Sequence, residues 1–384
     1  MTIAESVVAG TRWGGAHVAA IARQNAPAIP PVTSLDGLPS IDGLDLWDLW
    51  PAQLIDGSTA LFDGWTAWMI LSAPAFPDPI DRHAQARIRL VLQRGDEWRD
   101  CGNLLPDGFC PGSREWAGSA LYDPETRAFT LFWTPAGRRG EEAPTFEQRL
   151  FKTTGTAGWK GDTLAVEGWS EPEEFLHSDD EVYDLANQQL GAPGEIIGFR
   201  DPAHFRDPAD GRDYMLFTGS LKDTQSTHNG VIGIARADDS DNSQWTLLPP
   251  LISADGVNNE QERPHVICRD GLYYVFWSTQ TSVFEPNGPK GPTGLYGMVS
   301  RSLLGPYSPL NGTGLVAPNP AGEPWQTFSW WVTADLEVVS FVDYWGMQGE
   351  PLADHPERVR SHFGGVPAPR FSIKLDAARA WVTS

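Results

Sequence analysis

One pattern recurs along this chain and limits the folds open to it. A polar, charged or tryptophan anchor is followed by a short strand, a turn, and a second strand that ends in aromatics. It runs as WDLWPAQLIDGSTALFDGWTAWMI from Trp47, EWAGSALYDPETRAFTLFWT from Glu115, RDPAHFRDPADGRDYMLFTG from Arg200 and ERPHVICRDGLYYVFWS from Glu262. A fainter fifth copy, QTFSWWVTADLEVVSFVDY, begins at Gln326. With Asp48, Trp116, Asp201, Glu262 and Phe328 as anchors, the steps are 68, 85, 61 and 66 residues. Five hairpins at such spacing predict an all-β fold, a five-bladed β-propeller of four-stranded blades with long loops between them. Each anchor is expected to begin the innermost strand of its blade. The anchors then converge on one mouth of the central channel, as a funnel-shaped pocket built from residues far apart in sequence. A pair of β-sandwiches is the main structural alternative, but it leaves the charged or tryptophan opening of each copy unexplained.

The rest of the chain fits this frame. Its 384 residues exceed the usual size of one hydrophobic core, which a repeating architecture does not need. Short runs of Val, Phe, Tyr, Trp and Leu end at Asp-Gly, Pro-Gly or Asn-Gly, the mark of strands and tight turns. Helical periodicity is confined to Ala16 to Gln24 and Asp180 to Gln189. The 17 Trp residues fill cores or stack on sugars, and core filling is the commoner use.

A formal net charge of −22 argues against nucleic acid or an anionic membrane surface as a partner, since both need a basic face. The three cysteines, Cys101, Cys110 and Cys268, are too few for a disulfide framework. No Cys/His spacing suggests a metal, and no cofactor motif is present. The first twenty residues lack a charged start followed by an apolar core, so no secretory signal is expected. Export by a signal-independent route is the expectation, with a cytoplasmic location as the alternative. The longest nearly apolar stretch, Trp65 to Phe76, is too short to span a bilayer.

Three acidic residues stand at anchors: Asp48 in W-D-L-W-P, Asp201 in F-R-D-P and Glu262 in E-Q-E-R-P-H. Glycosidic chemistry needs two carboxyl groups flanking the bond, one to attack or to activate water and one to protonate the leaving oxygen. Asp48, between Trp47 and Trp50, is the expected nucleophile. Glu262 is the expected general acid/base. Glu260, two positions away and expected on the same strand face, raises the Glu262 pKa, while Arg263 lowers it. Pro202 biases Asp201 toward an extended backbone. Its carboxylate can accept two vicinal sugar hydroxyls, and Arg200 can bind hydroxyls or fix Asp201. A structural Arg–Asp pair is the alternative use of those two residues.

These residues resemble glycoside hydrolase family 68, the levansucrase, inulosucrase and bacterial β-fructofuranosidase group. The matching segments are LWDLWPAQ (46–53), GWTAWMILSAP (64–74), DRHAQARI (81–88), EWAGSA (115–120), GFRDPAHF (198–205), NNEQERPH (258–265), QTFSWWV (326–332) and GGVPAPRFSI (364–373). They cover roughly residues 40–375. Length and the lack of a signal are similar to the Gram-negative branch. The resemblance implies a single catalytic propeller over 1–384, with residues 1–40 packed on it. It implies Asp48 as the nucleophile that forms a fructosyl-enzyme, Glu262 as the acid/base that releases glucose from sucrose, and Asp201 as the transition-state stabiliser. Trp47, Trp116, Arg200, Glu260, Arg263 and Gln280 would bind substrate. The partners implied are sucrose and fructan or oligosaccharide acceptors; no cofactor is expected, and no ligand cluster for a metal is visible in the sequence.

Four positions depart from the family pattern. Ala117 stands where many members have a Ser that supports the nucleophile, Thr218 replaces a frequent Glu, Gln280 falls where a His or Arg often contacts sugar, and Phe328 replaces a common Tyr. A neutral Gln in place of a fixed positive charge predicts short fructo-oligosaccharides or substantial hydrolysis over long polymer. Two rivals share the architecture: an inverting arabinanase-like hydrolase and a non-catalytic sugar-binding propeller. The W-D-x-W-P and E-x-E-R-P-H strings favour the fructosyl reading over both.

Overall fold

The computed structural model describes residues 10–24, 26–187, 195–238 and 243–383. Each of the five hairpins opens an antiparallel blade, and the blades follow one another along the chain as a five-bladed propeller. Blade 1 comprises Leu44–Gln53, Trp65–Pro74, Arg87–Arg94 and Glu97–Asn103. Blade 2 comprises Arg114–Tyr122, Ala128–Ala136, Leu150–Lys160 and Thr163–Glu167. Blade 3 follows as Phe199–Arg206, Asp213–Ser220, Gly230–Ala237 and Trp245–Ser253. Blade 4 holds Glu262–Arg269, Leu272–Thr279 and Gly294–Ser300, with Ser308–Pro309 and Leu315–Pro318 sharing the outer position. Blade 5 holds Thr327–Val332 and Glu337–Tyr344, then Phe363–Pro367 and Phe371–Asp376, and Arg379–Thr383 outermost. Every blade is covered on both faces by its neighbours. Its central strands therefore read as near-continuous apolar runs, as in Trp65–Pro74, where eight of the ten residues are buried.

The inner strands share one irregularity, and it places the site. Each carries a β-bulge at its anchor, seen as a register shift after Trp47, Trp116, Arg200, Glu262 and Phe328. In four blades the residue where the register shifts sits in the left-handed region: Asp48 (φ 51°), Asp201 (φ 61°), Arg263 (φ 51°) and Ser329 (φ 62°). In blade 2 that position is Ala117, and Gly118 beside it admits a close approach: a Cβ there would lie 1.9 Å from the Phe132 carbonyl oxygen. A regular strand sends successive side chains to opposite faces. The bulge breaks that alternation and re-aims a side chain. The anchors consequently do not all begin their strands, since Asp48 is fifth in Leu44–Gln53 and Glu262 is first in Glu262–Arg269.

Hydroxyl groups stitch consecutive blades together around the channel. Thr134, Thr218 and Ser278 sit opposite Trp116, Arg200 and Glu262 on the second strands of blades 2, 3 and 4. Each accepts a backbone N–H from the next blade's inner strand: Asp201 N to Thr134 at 3.0 Å, Arg263 N to Thr218 at 3.2 Å, and Trp330 N to Ser278 at 2.9 Å. Among the described residues, the ring closes between blades 5 and 1 without exchange of a strand. Arg360 grips the buried Asp45 with two hydrogen bonds of 2.7 and 3.0 Å, and Arg263 donates to Leu49 O at 2.5 Å.

The N-terminal segment lies across several blades. Thr11 and Arg12 pair in parallel with Ile252 and Ser253 of blade 3. Trp13 packs edge-on to Trp277 and Tyr296 of blade 4, and Val32 N donates to Gln326 Oε1 at the entry to blade 5. The helix expected within Ala16 to Gln24 is present as Gly15–Ile21. The second expected helix is absent over residues 180–187, and residues 188–189 lie outside those described. Asp179 Oδ1 instead accepts the N–H groups of Glu181, Val182 and Tyr183, which satisfies donors a helix would have used. Tyr183 is fully buried against Phe199 and Phe217.

Candidate active site

A cavity of about 600 Å³ opens where the anchors meet. All nine residues singled out from the sequence line it: Trp47, Asp48, Trp116, Arg200, Asp201, Glu260, Glu262, Arg263 and Gln280. Three consecutive pairs, 47–48, 200–201 and 262–263, face the same space, an arrangement the bulges permit and a regular strand forbids.

Arg200 ties the acidic residues together. It is 6 % exposed, and its Nη2 lies 3.0 Å from Glu262 Oε1 and 3.6 Å from Glu260 Oε1, with Nε 3.7 Å from Asp201 Oδ2. Burial lowers the Arg200 pKa, but the three carboxyl groups outweigh it and raise the value overall. Glu260 precedes the strand that Glu262 opens, so the two share the guanidinium rather than a strand face. Burial pushes Glu262 well above the usual carboxyl range, and Glu260 pushes further, against the pull of Arg200. A carboxyl so placed keeps its proton to higher pH than a free one does.

Asp48 is raised to about 6, chiefly by burial. Arg263 and a hydrogen bond from Ser329 pull it down, and Glu262 and Asp201 push it up. Asp201 is fixed through one oxygen. Its Oδ2 accepts from the Thr218 hydroxyl at 2.9 Å and the Arg263 N–H at 3.2 Å, while Oδ1 takes no hydrogen bond among the described residues. Thr218, which stands where the family often has Glu, thus anchors Asp201 directly.

Arg263 lies beneath the carboxyl groups at 2 % exposure. Its guanidinium donates to Leu49 O and to both Ser329 O (3.2 Å) and Ser329 Oγ (2.8 Å). It joins blades 4, 5 and 1 and turns its charge toward Asp48. Trp47 and Trp116 form apolar walls, with Phe146 edge-on to Trp116. Gln280 caps the short 3₁₀ turn Thr281–Val283 at the rim. Sequence reasoning missed three residues here: Ser329, Arg82 and Asp343. Arg82 lay in a family-like string, DRHAQARI, with no role attached. Ser329 and Asp343 lay in the faint fifth repeat, where only Phe328 drew attention.

The cavity presents two buried carboxyl groups, both pushed above the usual range, a third held for hydrogen bonding, and aromatic walls. That set can break and remake a glycosidic bond. Comparison with known proteins points the same way. The family model described as Levansucrase/Invertase matches residues 2–230 and 222–384. The levansucrase of Rahnella aquatilis is 30 % identical, over 97 % of this chain and 94 % of its own length. The levansucrase of Zymomonas mobilis is 31 % identical, over 97 % and 90 %. Among solved structures, an inulosucrase from Halalkalicoccus jeotgali bound to kestose aligns with a TM-score of 0.87 and 36 % identity, covering 98 % of this chain and 95 % of that one. With a family model spanning nearly every residue and relatives matched over 90 % or more of their length, this chain belongs to glycoside hydrolase family 68, the levansucrase/invertase family.

Proposed function

We propose that this protein cleaves sucrose and transfers its fructosyl unit, by double displacement through a fructosyl-enzyme. The observation that carries the reading is the meeting of Asp48, Asp201 and Glu262, from three blades, in one cavity bridged by Arg200 and Arg263. Ionised Asp48 attacks the anomeric carbon of the fructosyl unit. Protonated Glu262 gives its proton to the glycosidic oxygen, and glucose leaves. Glu262, now ionised, takes a proton from an incoming hydroxyl, which attacks the same carbon and frees Asp48. Water gives hydrolysis, and sucrose or a fructan chain gives transfer. The free Oδ1 of Asp201 accepts hydroxyls of the furanose as positive charge builds on the ring.

Incubation with sucrose, with glucose and fructose measured separately, tests this. Glucose should exceed fructose where transfer occurs. Asp48→Asn should abolish glucose release with sucrose binding retained. Full turnover by that variant would remove the proposed nucleophile. Neutral Gln280 at the rim supports short products, and recovery of mainly high-mass fructan would count against that. The kinship to an inulosucrase favours a second reading, β-2,1 rather than β-2,6 transfer. Linkage analysis of the products decides between them.

A further inference from the structure

His265 makes two hydrogen bonds at the boundary of blades 4 and 5, and together they fix its protonation. It is 3 % exposed and stands third after Glu262 on the inner strand of blade 4. Its Nε2 accepts the Val332 N–H of blade 5 at 2.9 Å. A backbone N–H only donates, so Nε2 carries no proton and the neutral ring holds its proton on Nδ1. That N–H donates to the Arg263 carbonyl at 3.0 Å. Burial pushes the imidazole down to about 3, which keeps it neutral near pH 7. The ring stacks on Trp331 at 4.3 Å and 9°, and the Arg263 guanidinium lies 5.5 Å from the same indole.

The equivalent place in blade 2 divides these tasks. Ser119, third after Trp116, accepts the His204 N–H of blade 3 at 3.1 Å. The carbonyl of Ala117, at the bulge, is bonded separately by the Thr134 hydroxyl at 3.3 Å. Blade 4 gives both bonds to one rigid ring, and does so at the bulge whose side chain carries charge. Arg263 has its N–H on Asp201 and Thr218 and its carbonyl on His265. The backbone at a bulge sets where the side chain points. From this one the guanidinium reaches Ser329 and Leu49 and acts on Asp48.

We propose that His265 is a positioning residue for fructosyl transfer: it ties the Arg263 bulge to blade 5 and so keeps the guanidinium beside Asp48. This rests on the reading of Asp48 as the nucleophile. The charged groups acting on Asp48 are Arg263, Glu262 and Asp201, with Arg82 and Asp343 from blades 1 and 5. Of these, only Arg263 is bonded to His265 among the described residues.

Two amide variants divide the ring between them. His265→Gln can offer Oε1 to Val332 but has no donor where Nδ1 stood, whereas His265→Asn keeps a donor for Arg263 and falls short of Val332. Each loses one bond, so both should lower Tm. His265→Gln should also move the acidic limb of kcat/KM for sucrose to higher pH by about 0.5–1 unit, as the pull of Arg263 weakens. Its kcat should fall about 10-fold with KM little changed. His265→Asn should keep the limb where the wild type has it. An unmoved limb in His265→Gln, or an equal shift in both variants, would overturn the proposal and leave the imidazole a packing group. Wild-type protein labelled with ¹⁵N at histidine gives a check without substitution: a ring with Nδ1–H and bare Nε2 should persist from about pH 5 to 8, and the lack of any such ring would also overturn it. Full sucrose turnover by Asp48→Asn would instead defeat the reading of Asp48 itself.

Discussion

As the proposed nucleophile, Asp48 would have to be ionised in a place where burial favours its neutral form. The cavity answers with Arg263 beneath it and the Ser329 hydroxyl beside it, both of which lower a pKa that still stands at about 6. Ser329 accepts from Arg263 Nη1 and donates to Asp48, so it passes the influence of the guanidinium to that carboxyl group. This hydroxyl comes from blade 5, while Ala117 of blade 2 offers none. The acidic limb of kcat/KM for sucrose should then rise through about pH 6 as Asp48 ionises. The basic limb should fall where Glu262, held above its usual range, loses its proton. Because the carboxyl groups interact, both limbs belong to the set rather than to one residue. Ser329→Ala removes a bond to the anion and should move the acidic limb to higher pH. A loss of activity equal at every pH would mean that the serine only packs. The three acidic anchors were legible in the sequence because each sits in a short string with a recognisable neighbour. Ser329 and Asp343 were not, because their approach to Asp48 depends on blade 5 meeting blade 1, a contact that no local pattern encodes; Arg82 was not, because it stands on a short 3₁₀ turn between two strands of blade 1.

At the scale of the strand, the site is made by five bulges in equivalent places. Four non-glycine residues accept a left-handed backbone there, a strain of order 1–3 kcal/mol each that the surrounding blade must hold. The hairpins and their spacing could be read from apolar runs and turn residues. The bulges could not, since Asp48, Arg263 and Ser329 carry no mark of an unusual φ. The failed helix over 180–187 has a similar cause: a side-chain carboxylate took the backbone donors, and tertiary burial of Tyr183 fixed the rest. The interblade hydroxyls separate stability from catalysis. Ser278→Ala leaves the buried Trp330 N–H without its acceptor and should cost about 1–3 kcal/mol in chemical denaturation, with kcat little changed. Thr218→Val occupies the equivalent place one blade earlier, yet it also releases Asp201. It should lower kcat on sucrose about tenfold or more beside a similar loss of stability. Equal kinetics in the two variants would refute the role given to Thr218.

For the whole molecule, the question is how a ring of blades stays closed when its first and last blades share no strand among the described residues. The inner strand Leu44–Gln53 of blade 1 packs directly on Thr327–Val332, Glu337–Tyr344 and Phe363–Pro367 of blade 5, and the Arg360–Asp45 pair joins the two, while Arg263 of blade 4 reaches Leu49 and the N-terminal segment lies across blades 3, 4 and 5. Gly365, at φ 58°, lets blade 5 come close to Asp45, where a Cβ would stand 2.6 Å from its Oδ1. Arg360→Ala leaves a buried carboxylate without its partner. The expected cost is about 1–3 kcal/mol, less than for a fully buried pair because the arginine side chain is 36 % exposed. A lowered Tm should accompany a lowered kcat, since the same seam carries Asp48, Ser329 and Asp343. Unchanged Tm and kcat would show that the seam closes without it.

The central claim, that Asp48 bonds the fructosyl unit while Glu262 moves the proton, is tested most directly by trapping the intermediate. Glu262→Gln should be mixed with β-fructosyl fluoride, whose leaving group needs no acid, and the protein examined by intact mass and peptide mapping. A covalent adduct of one anhydrofructose on the peptide that contains Asp48 is the result expected. Rapid consumption of the fluoride with no adduct, or an adduct carried by a different carboxyl group, would contradict it.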